Sequence, residues 1–369
     1  MDSKVDELQN DYFFNDETIN FFMAFSNIAS ATAAVIGIPG NLLVLYSILH
    51  SSDMRTVSHI FIFNLALADL FFLFGIPILI FQTVKREWVF GLAICKLFLA
   101  TSGINQFASS TFIALLSFDR YLAVCHAVVS IRWRTRTFAM ILVFVAWIIV
   151  LIEMIPIFMY STIVERPFEN RNKSSCTLFW GDTEFVNDTA KENAIYNRRR
   201  LFSVYSFTLS YMLPLSSVWF FYGKIISRVW WRHTRFRSPQ RQRIGRTTTK
   251  VTFMGLAIVV SYTLLYFPFW MSQWLIEAGV SFYKDQSLRM IIAYLAYALL
   301  YVNSALNPFL CVFFTDTFLQ KILRRQSPNT VNRAKLFDSV AYSAVPLSDS
   351  VRINGKNIKF SPKGPYICE

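Results

Sequence analysis

Apolar residues in this chain come in long unbroken blocks, separated by short polar segments, and not in the alternation of a half-buried strand or the striping of a surface helix. About 20 apolar residues carry a helix across a bilayer, and blocks of at least that length recur seven times. They cover residues 22–49, 57–84, 97–125, 138–164, 201–222, 251–276 and 290–314. The pattern predicts an all-α membrane protein, a seven-transmembrane helix bundle over 22–314. A polar N-terminal tail (1–21) precedes it, and a tail expected to be disordered (326–369) follows. The first block is too long and too far from Met1 to read as a cleaved signal peptide, although a signal-anchor role stays open.

Composition agrees. The chain is 54% hydrophobic and 17% aromatic with only 16% charged residues, too little charge for an ordinary soluble domain. Where the charges fall predicts orientation. Between spans five and six stand Lys224, Arg228, Arg232, Arg235, Arg237, Arg241, Arg243, Arg246 and Lys250 without one acid. Arg132, Arg134 and Arg136 follow span three, and Lys321, Arg324 and Arg325 follow span seven, whereas the N-terminal tail carries Asp2, Asp6, Glu7, Asp11, Asp16 and Glu17. Basic loops stay cytoplasmic, so the N-terminus is expected outside and the C-terminus inside the plasma membrane. The net charge of +13 then suits anionic membrane lipids or an acidic partner, and no nucleic acid.

Two further signals fit that topology. The sequons at Asn172 and Asn187 both fall between spans four and five, on the outer side, where glycosylation is possible. Of five cysteines, only Cys95 and Cys176 are expected outside, and a disulfide between them would pin the long loop across the bundle mouth.

Ionisable groups deep in the spans are Asp69 and Glu153. A carboxylate in hydrocarbon is costly and should face the interior with a partner. For Asp69 the candidates are Asn105 and Ser109, one turn apart on span three, and Asn303 and Asn307 on span seven, with Ser304 beside them and Asn41 on span one. Such hard oxygen donors suit an allosteric sodium ion, and no other cofactor is expected. A polar network that only joins helices is the alternative. Glu153 has no evident partner and reads as a structural acid. Pro77, Pro156, Pro214, Pro268 and Pro308 each free a carbonyl inside a span, so the bundle is expected to bend.

In order, one span after another, the residues resemble a family. The signatures are Gly40-Asn41, "LALAD" ending at Asp69, "WVFG" at 88–91 with Cys95, "DRY" at 119–121, Trp147, Pro214 with Tyr222, "FPFW" around Pro268, and "NSALNPF" with Asn307-Pro308. Together they are similar to the rhodopsin-like (class A) G-protein-coupled receptors. "NQF" at 105–107, Gln82, "SSCTLFW" around Cys176 and "NSALNPFLCVFFTDTF" resemble the somatostatin, opioid, galanin and allatostatin-C group of neuropeptide receptors most.

The resemblance implies a short amphipathic helix over 315–325, an extracellular neuropeptide as ligand, and a heterotrimeric G protein of the inhibitory Gi/Go type. Arrestin and receptor kinases would act through the tail. It also implies a switch of Asp119, Arg120, Tyr121, Val128, Tyr222, Asn307 and Pro308. In the family the acid holds the arginine at rest, and ligand binding swings span six outward so that the arginine meets Tyr222. Cys95 and Arg120 stand 25 positions apart, about 38 Å of helix, so pocket and switch lie at opposite membrane faces. An interfacial pair that merely snorkels to water is the alternative.

By position, Gln82, Ser102, Gln106, Tyr266, Phe269, Trp270, Gln273 and Tyr297 line the ligand pocket. Ser102 stands where somatostatin and opioid receptors carry an aspartate, so the pattern implies an uncharged ligand group there, with Glu277 as the alternative counter-ion. Other departures are Tyr266 for a tryptophan, Cys311 for the tyrosine after Asn307-Pro308, and Ala127 for a proline after "DRY".

Other classes fit less well. A retinal protein needs a span-seven lysine, where Tyr301 stands. No metalloprotease, aspartyl or nucleophile-elbow motif is present, so no enzyme is expected. No repeated halves point to a transporter. A class A receptor for a lipid or other non-peptide ligand remains the main alternative.

Overall fold

A computed structural model describes residues 16–50, 56–126, 130, 132–168, 171–181, 189–235, 239–278, 285–313, 351–353 and 356–358. Val128, Asn187 and the expected helix over 315–325 lie outside the described residues. The chain divides into a unit over Met1–Thr315 and another over Asp316–Glu369. Within the second, Val351–Ile353 pairs antiparallel with Lys356–Ile358.

Seven spans build the first unit. Span one is the helix Asp16–His50. Span two runs as Val57–Phe74 and then Ile76–Lys85. Span three is Gly91–Cys125. Span four runs as Arg136–Glu153 and Ile155–Tyr160. Span five consists of Thr189–Phe207, a wide turn over Thr208–Met212, and Leu213–Arg235. Spans six and seven are Pro239–Glu277 and Gln286–Phe313.

Six of the seven are long and apolar enough to cross a membrane. Span three is the exception, because Thr101, Ser102, Asn105, Gln106, Ser109 and Ser110 dilute its middle. It can carry them because it is walled in: Asn105, Ser109 and Ser110 are all buried. A helix whose polar groups face neighbouring helices needs less apolar surface than one facing lipid.

The apolar blocks place the spans but not their ends. Span one begins at Asp16 instead of 22, span five at Thr189 instead of 201, and span six at Pro239 instead of 251. Hydropathy marks the membrane-crossing part, whereas a helix continues for as long as its backbone bonds propagate. Span four errs the other way. It was expected to reach 164, but the helix stops at Tyr160 and β1 begins at Ser161. Ser161, Thr162, Ile163 and Val164 continue the uncharged block, yet they pair in a hairpin, and three of them, Thr162, Ile163 and Val164, are β-branched.

Prolines decide where the spans break. Span two is interrupted at Gly75 and span four at Met154, each two residues before a proline (Pro77, Pro156). The wide turn of span five ends just before Pro214. Proline has no N–H for the carbonyl four residues earlier and crowds it. For Pro308 that carbonyl belongs to Ser304, and Asn41 Nδ2 of span one donates to it at 3.2 Å. For Pro214 it belongs to Ser210, and Tyr262 Oη of span six donates to it at 2.8 Å. The carbonyls facing Pro214 and Pro308 are thus each met by a side chain from a neighbouring span, whereas at Pro77 and Pro156 the backbone N–H groups of Gly75 and Met154 meet Leu73 O and Ile152 O.

Small residues let the spans approach. A Cβ added at Gly37 would lie 3.0 Å from Ala305 Cα, and one at Gly40 would lie 3.1 Å from Pro308. Spans one and seven therefore pack backbone against backbone, which brings Asn41 within reach of span seven.

Candidate functional site

Polar and charged groups inside the bundle form three clusters, one at each end and one between. At one end the hairpin of β1 (Ser161–Phe168) and β2 (Arg171–Leu178) carries Cys176 opposite Ile163. Cys176 is bonded to Cys95 at the start of span three, S–S 2.00 Å, as expected from the sequence. Trp88, Phe98 and both cysteines form a buried cluster there, and Trp88 N–H donates to Ser174 O at 2.8 Å. The loop is thereby tied down at the bundle mouth. Asn172 lies on β2 opposite Pro167.

Of the eight residues expected to line a pocket, five make contacts that join spans three, five, six and seven. The Gln106 amide donates to Ser210 Oγ at 3.0 Å, joining span three to the wide turn of span five. Phe269 packs edge-on against Tyr297 at 5.6 Å, joining spans six and seven. Trp270 is 3% exposed and packs edge-on against Phe207 at 5.2 Å. Its indole N–H and the Gln82 carbonyl are buried with no hydrogen-bond partner among the described residues. Both could serve a bound ligand. No side-chain hydrogen bond among the described residues joins Gln82, Ser102 or Gln273 to the rest of the set.

Glu277 lies at the same end of span six, and its side chain is 4% exposed. Arg199 Nε of span five approaches one carboxylate oxygen at 3.3 Å, and Ser203 Oγ donates to the same oxygen at 3.4 Å. The second oxygen has no hydrogen-bond partner among the described residues. Sequence reasoning missed the Arg199 pair, because nothing in the spacing of two distant helices announces it.

In the middle of the bundle Asp69 is fully buried and accepts from Asn307 Nδ2 at 2.8 Å. Among the described residues its other oxygen makes no hydrogen bond, and neither do the side-chain oxygens of Asn41, Asn303 and Asn307. Leaving buried oxygens unsatisfied is unfavourable unless a donor or cation joins them. Asn105 stands apart from these. Its oxygen accepts from Ser109 Oγ at 3.1 Å and Ser304 Oγ at 3.3 Å, and its nitrogen donates to Tyr266 Oη at 2.9 Å. Of the five residues expected around an ion, Asp69, Asn303 and Asn307 have oxygens without a partner among the described residues, whereas Ser109 and Asn105 bond each other. Tyr266 is fully enclosed and stacked on Tyr262 at 4.3 Å. Its hydroxyl accepts from Asn105 and so ties span six to span three.

At the opposite end from the disulfide, Asp119 is 2% exposed and holds two arginines. Arg120 Nη2 donates to one oxygen at 2.9 Å, and Arg134 Nε donates to the other at 2.7 Å. Ser58 Oγ of span two also donates to Asp119. Arg134 read in the sequence only as one more basic residue of its loop, and its role was not foreseen. Tyr121 is engaged with His126 at 2.9 Å. Tyr222 is completely buried, and neither its hydroxyl nor Arg120 Nε makes a well-formed hydrogen bond among the described residues.

A mouth pinned by a disulfide, a carboxylate–amide interior and an arginine held by an acid at the far end define a seven-transmembrane receptor. Residues 40–310 match the model of the family described as 7 transmembrane receptor (rhodopsin family), and the chain belongs to that family. It is a multi-pass plasma-membrane receptor and not an enzyme.

Within the family the chain is similar to somatostatin receptors. It is 31% identical to somatostatin receptor type 2 of Mus musculus over 305 residues, 83% of this chain and 77% of the relative. With somatostatin receptor type 2 of Sus scrofa the identity is 32% over 284 residues, 77% of this chain and 72% of the relative. Somatostatin receptor type 3 of Homo sapiens is 31% identical over 290 residues, 79% of this chain and 65% of the relative.

Proposed function

We propose that this receptor binds an extracellular neuropeptide at its disulfide end and drives nucleotide exchange on a heterotrimeric G protein, of the Gi/Go type, at its Asp119–Arg120 end. The N-terminus is then outside and the C-terminus inside, as the basic loops suggest. One observation carries this reading: buried Asp119 holds Arg120 and Arg134 at the end of span three opposite the Cys95–Cys176 disulfide. Nearer the mouth, Gln106 reaches Ser210, whose carbonyl accepts from Tyr262, and Tyr262 packs against Tyr266, which accepts from Asn105, so spans three, five and six share one polar cluster.

In this reading Arg120 leaves Asp119 on activation and meets Tyr222, with Tyr121, Asn307, Pro308 and Val128 completing the G-protein side. Asp69, Asn303 and Asn307 hold a sodium ion in the resting receptor, with Ser109 near and Asn41 as a further oxygen donor. The orphaned oxygens of this group support the fit. Bound there, the ion supplies charge compensation to Asp69, and the chain supplies the oxygen cage. Asn172 and Asn187 carry glycans, the basic loops meet anionic lipid, and arrestin and receptor kinases act on the tail.

The ligand is expected to place an uncharged aromatic or amide group against Ser102, because an unpaired buried cation costs several kcal/mol. The test is a screen of neuropeptides, somatostatin first, against cAMP and calcium readouts in cells expressing the receptor. A falling cAMP signal with one peptide supports the reading. A response confined to lipids, or to calcium alone, overturns the ligand class or the G-protein class respectively.

A further inference from the structure

Gly255 sits in the interior of span six, where a glycine weakens a helix relative to alanine. Something must require it. A Cβ placed there would clash with Tyr222 Oη and lie 3.3 Å from Tyr222 Cζ, and among the described residues outside the span's own backbone it would meet nothing else within 4 Å. The missing side chain is therefore a notch that fits the tyrosine hydroxyl of span five. That hydroxyl gains little from the arrangement. It is buried and makes no well-formed hydrogen bond among the described residues, although Ser117 Oγ, which donates to Ile113 O at 2.7 Å, stands near it with acceptor capacity left. Arg120 Nε, within electrostatic reach of Tyr222, is likewise buried and unpartnered among the described residues. A donor and an acceptor that could satisfy each other are not paired.

We infer that Gly255 positions Tyr222 at rest: the notch stows the hydroxyl against span six and keeps it from Arg120. The receptor thereby holds an unfavourable polar burial that is relieved when span six moves and the two groups pair. The inference rests on the proposed Arg120–Tyr222 switch and adds the element that restrains it. Ordinary close packing of two helices is the competing account. It predicts that a methyl at Gly255 disturbs the fold whatever stands at 222. The notch predicts dependence on a single oxygen atom.

The experiment measures ligand-free GTPγS loading of purified Gi, Gq and Gs heterotrimers by membranes carrying equal amounts of receptor. Gly255→Ala should raise loading at least threefold over wild type, because the hydroxyl no longer fits its resting place. In a Tyr222→Phe background the same substitution should change loading by less than one and a half times, since the remaining 3.3 Å approach is accommodated by small shifts. Wild-type loading in Gly255→Ala, or an equal rise in both backgrounds, overturns the inference. Heat stability of detergent-solubilised receptor gives a second readout that involves no G protein. Tyr222→Phe removes the stranded hydroxyl and should raise the unfolding midpoint, whereas an unchanged or lower midpoint counts against the notch even where Gly255→Ala fails to fold. This arm also separates the notch from the switch, because it does not depend on Arg120 meeting Tyr222.

Discussion

Tyr266 stands where the family usually has a tryptophan, and in this chain its hydroxyl changes what the position can do. It accepts the Asn105 amide at 2.9 Å in the buried interior, so the ring is tethered to span three. Tyr266→Phe leaves that amide donor buried and unpaired, at about 1–3 kcal/mol. A heat scan of the solubilised receptor should show a lower midpoint, and a variant as stable as wild type would mean the bond contributes nothing. At this scale the sequence was a good guide to identity and a poor one to partners. Asp69, Asn307 and the Asp119–Arg120 pair could be picked out because a charge or amide is conspicuous in an apolar block. Arg134, Ser58 and Tyr262 could not, because a loop arginine, a serine and an aromatic are each ordinary where they stand, and only the fold brings them to a carboxylate or a freed carbonyl.

Breaks and repairs are properties of whole spans. The prolines were readable as weak points, and spans two, four and five are indeed interrupted near Pro77, Pro156 and Pro214. Which side chains meet the carbonyls freed by Pro214 and Pro308 was not readable, since that depends on helix rotation and, for Asn41, on the close approach that Gly37 and Gly40 permit. The repair of span seven gives a test. Asn41→Ala removes the donor to Ser304 O, the carbonyl that Pro308 frees, and should destabilise the receptor by about 1–2 kcal/mol. Adding Pro308→Ala restores a backbone N–H for that carbonyl and should recover part of the loss. Strictly additive losses in the double variant would show that the two residues do not share it. The end of span four illustrates the opposite limit. Composition alone continued the helix to 164, because β-branched apolar residues look alike in lipid and in a hairpin.

Across the whole molecule, the two ends are coupled only if something in the middle responds to both. A sodium ion among Asp69, Asn303 and Asn307 would favour the resting arrangement, so by linkage it must oppose activation. Ligand-free nucleotide exchange should therefore fall in sodium relative to potassium at equal ionic strength, and Asp69→Ala should abolish the difference. Exchange that is indifferent to the ion in wild type would leave this cluster as a network that joins helices. The overall plan, seven spans with a pinned loop at one end and an arginine at the other, was legible from block lengths, cysteine placement and the "DRY" segment taken together. The positions of orphaned oxygens and of the unpaired Tyr222 hydroxyl were not, because the absence of a partner is a fact of packing.

The coupling of a pocket at one membrane face to Arg120 at the other is most directly tested by one paired measurement. Peptide binding and peptide-stimulated GTPγS loading are determined on the same membranes for wild type and Arg120→Ala, using whichever neuropeptide activates the wild-type receptor. Arg120→Ala should bind the peptide within about threefold of wild type and load no GTPγS above background. Normal loading by this variant would contradict the account.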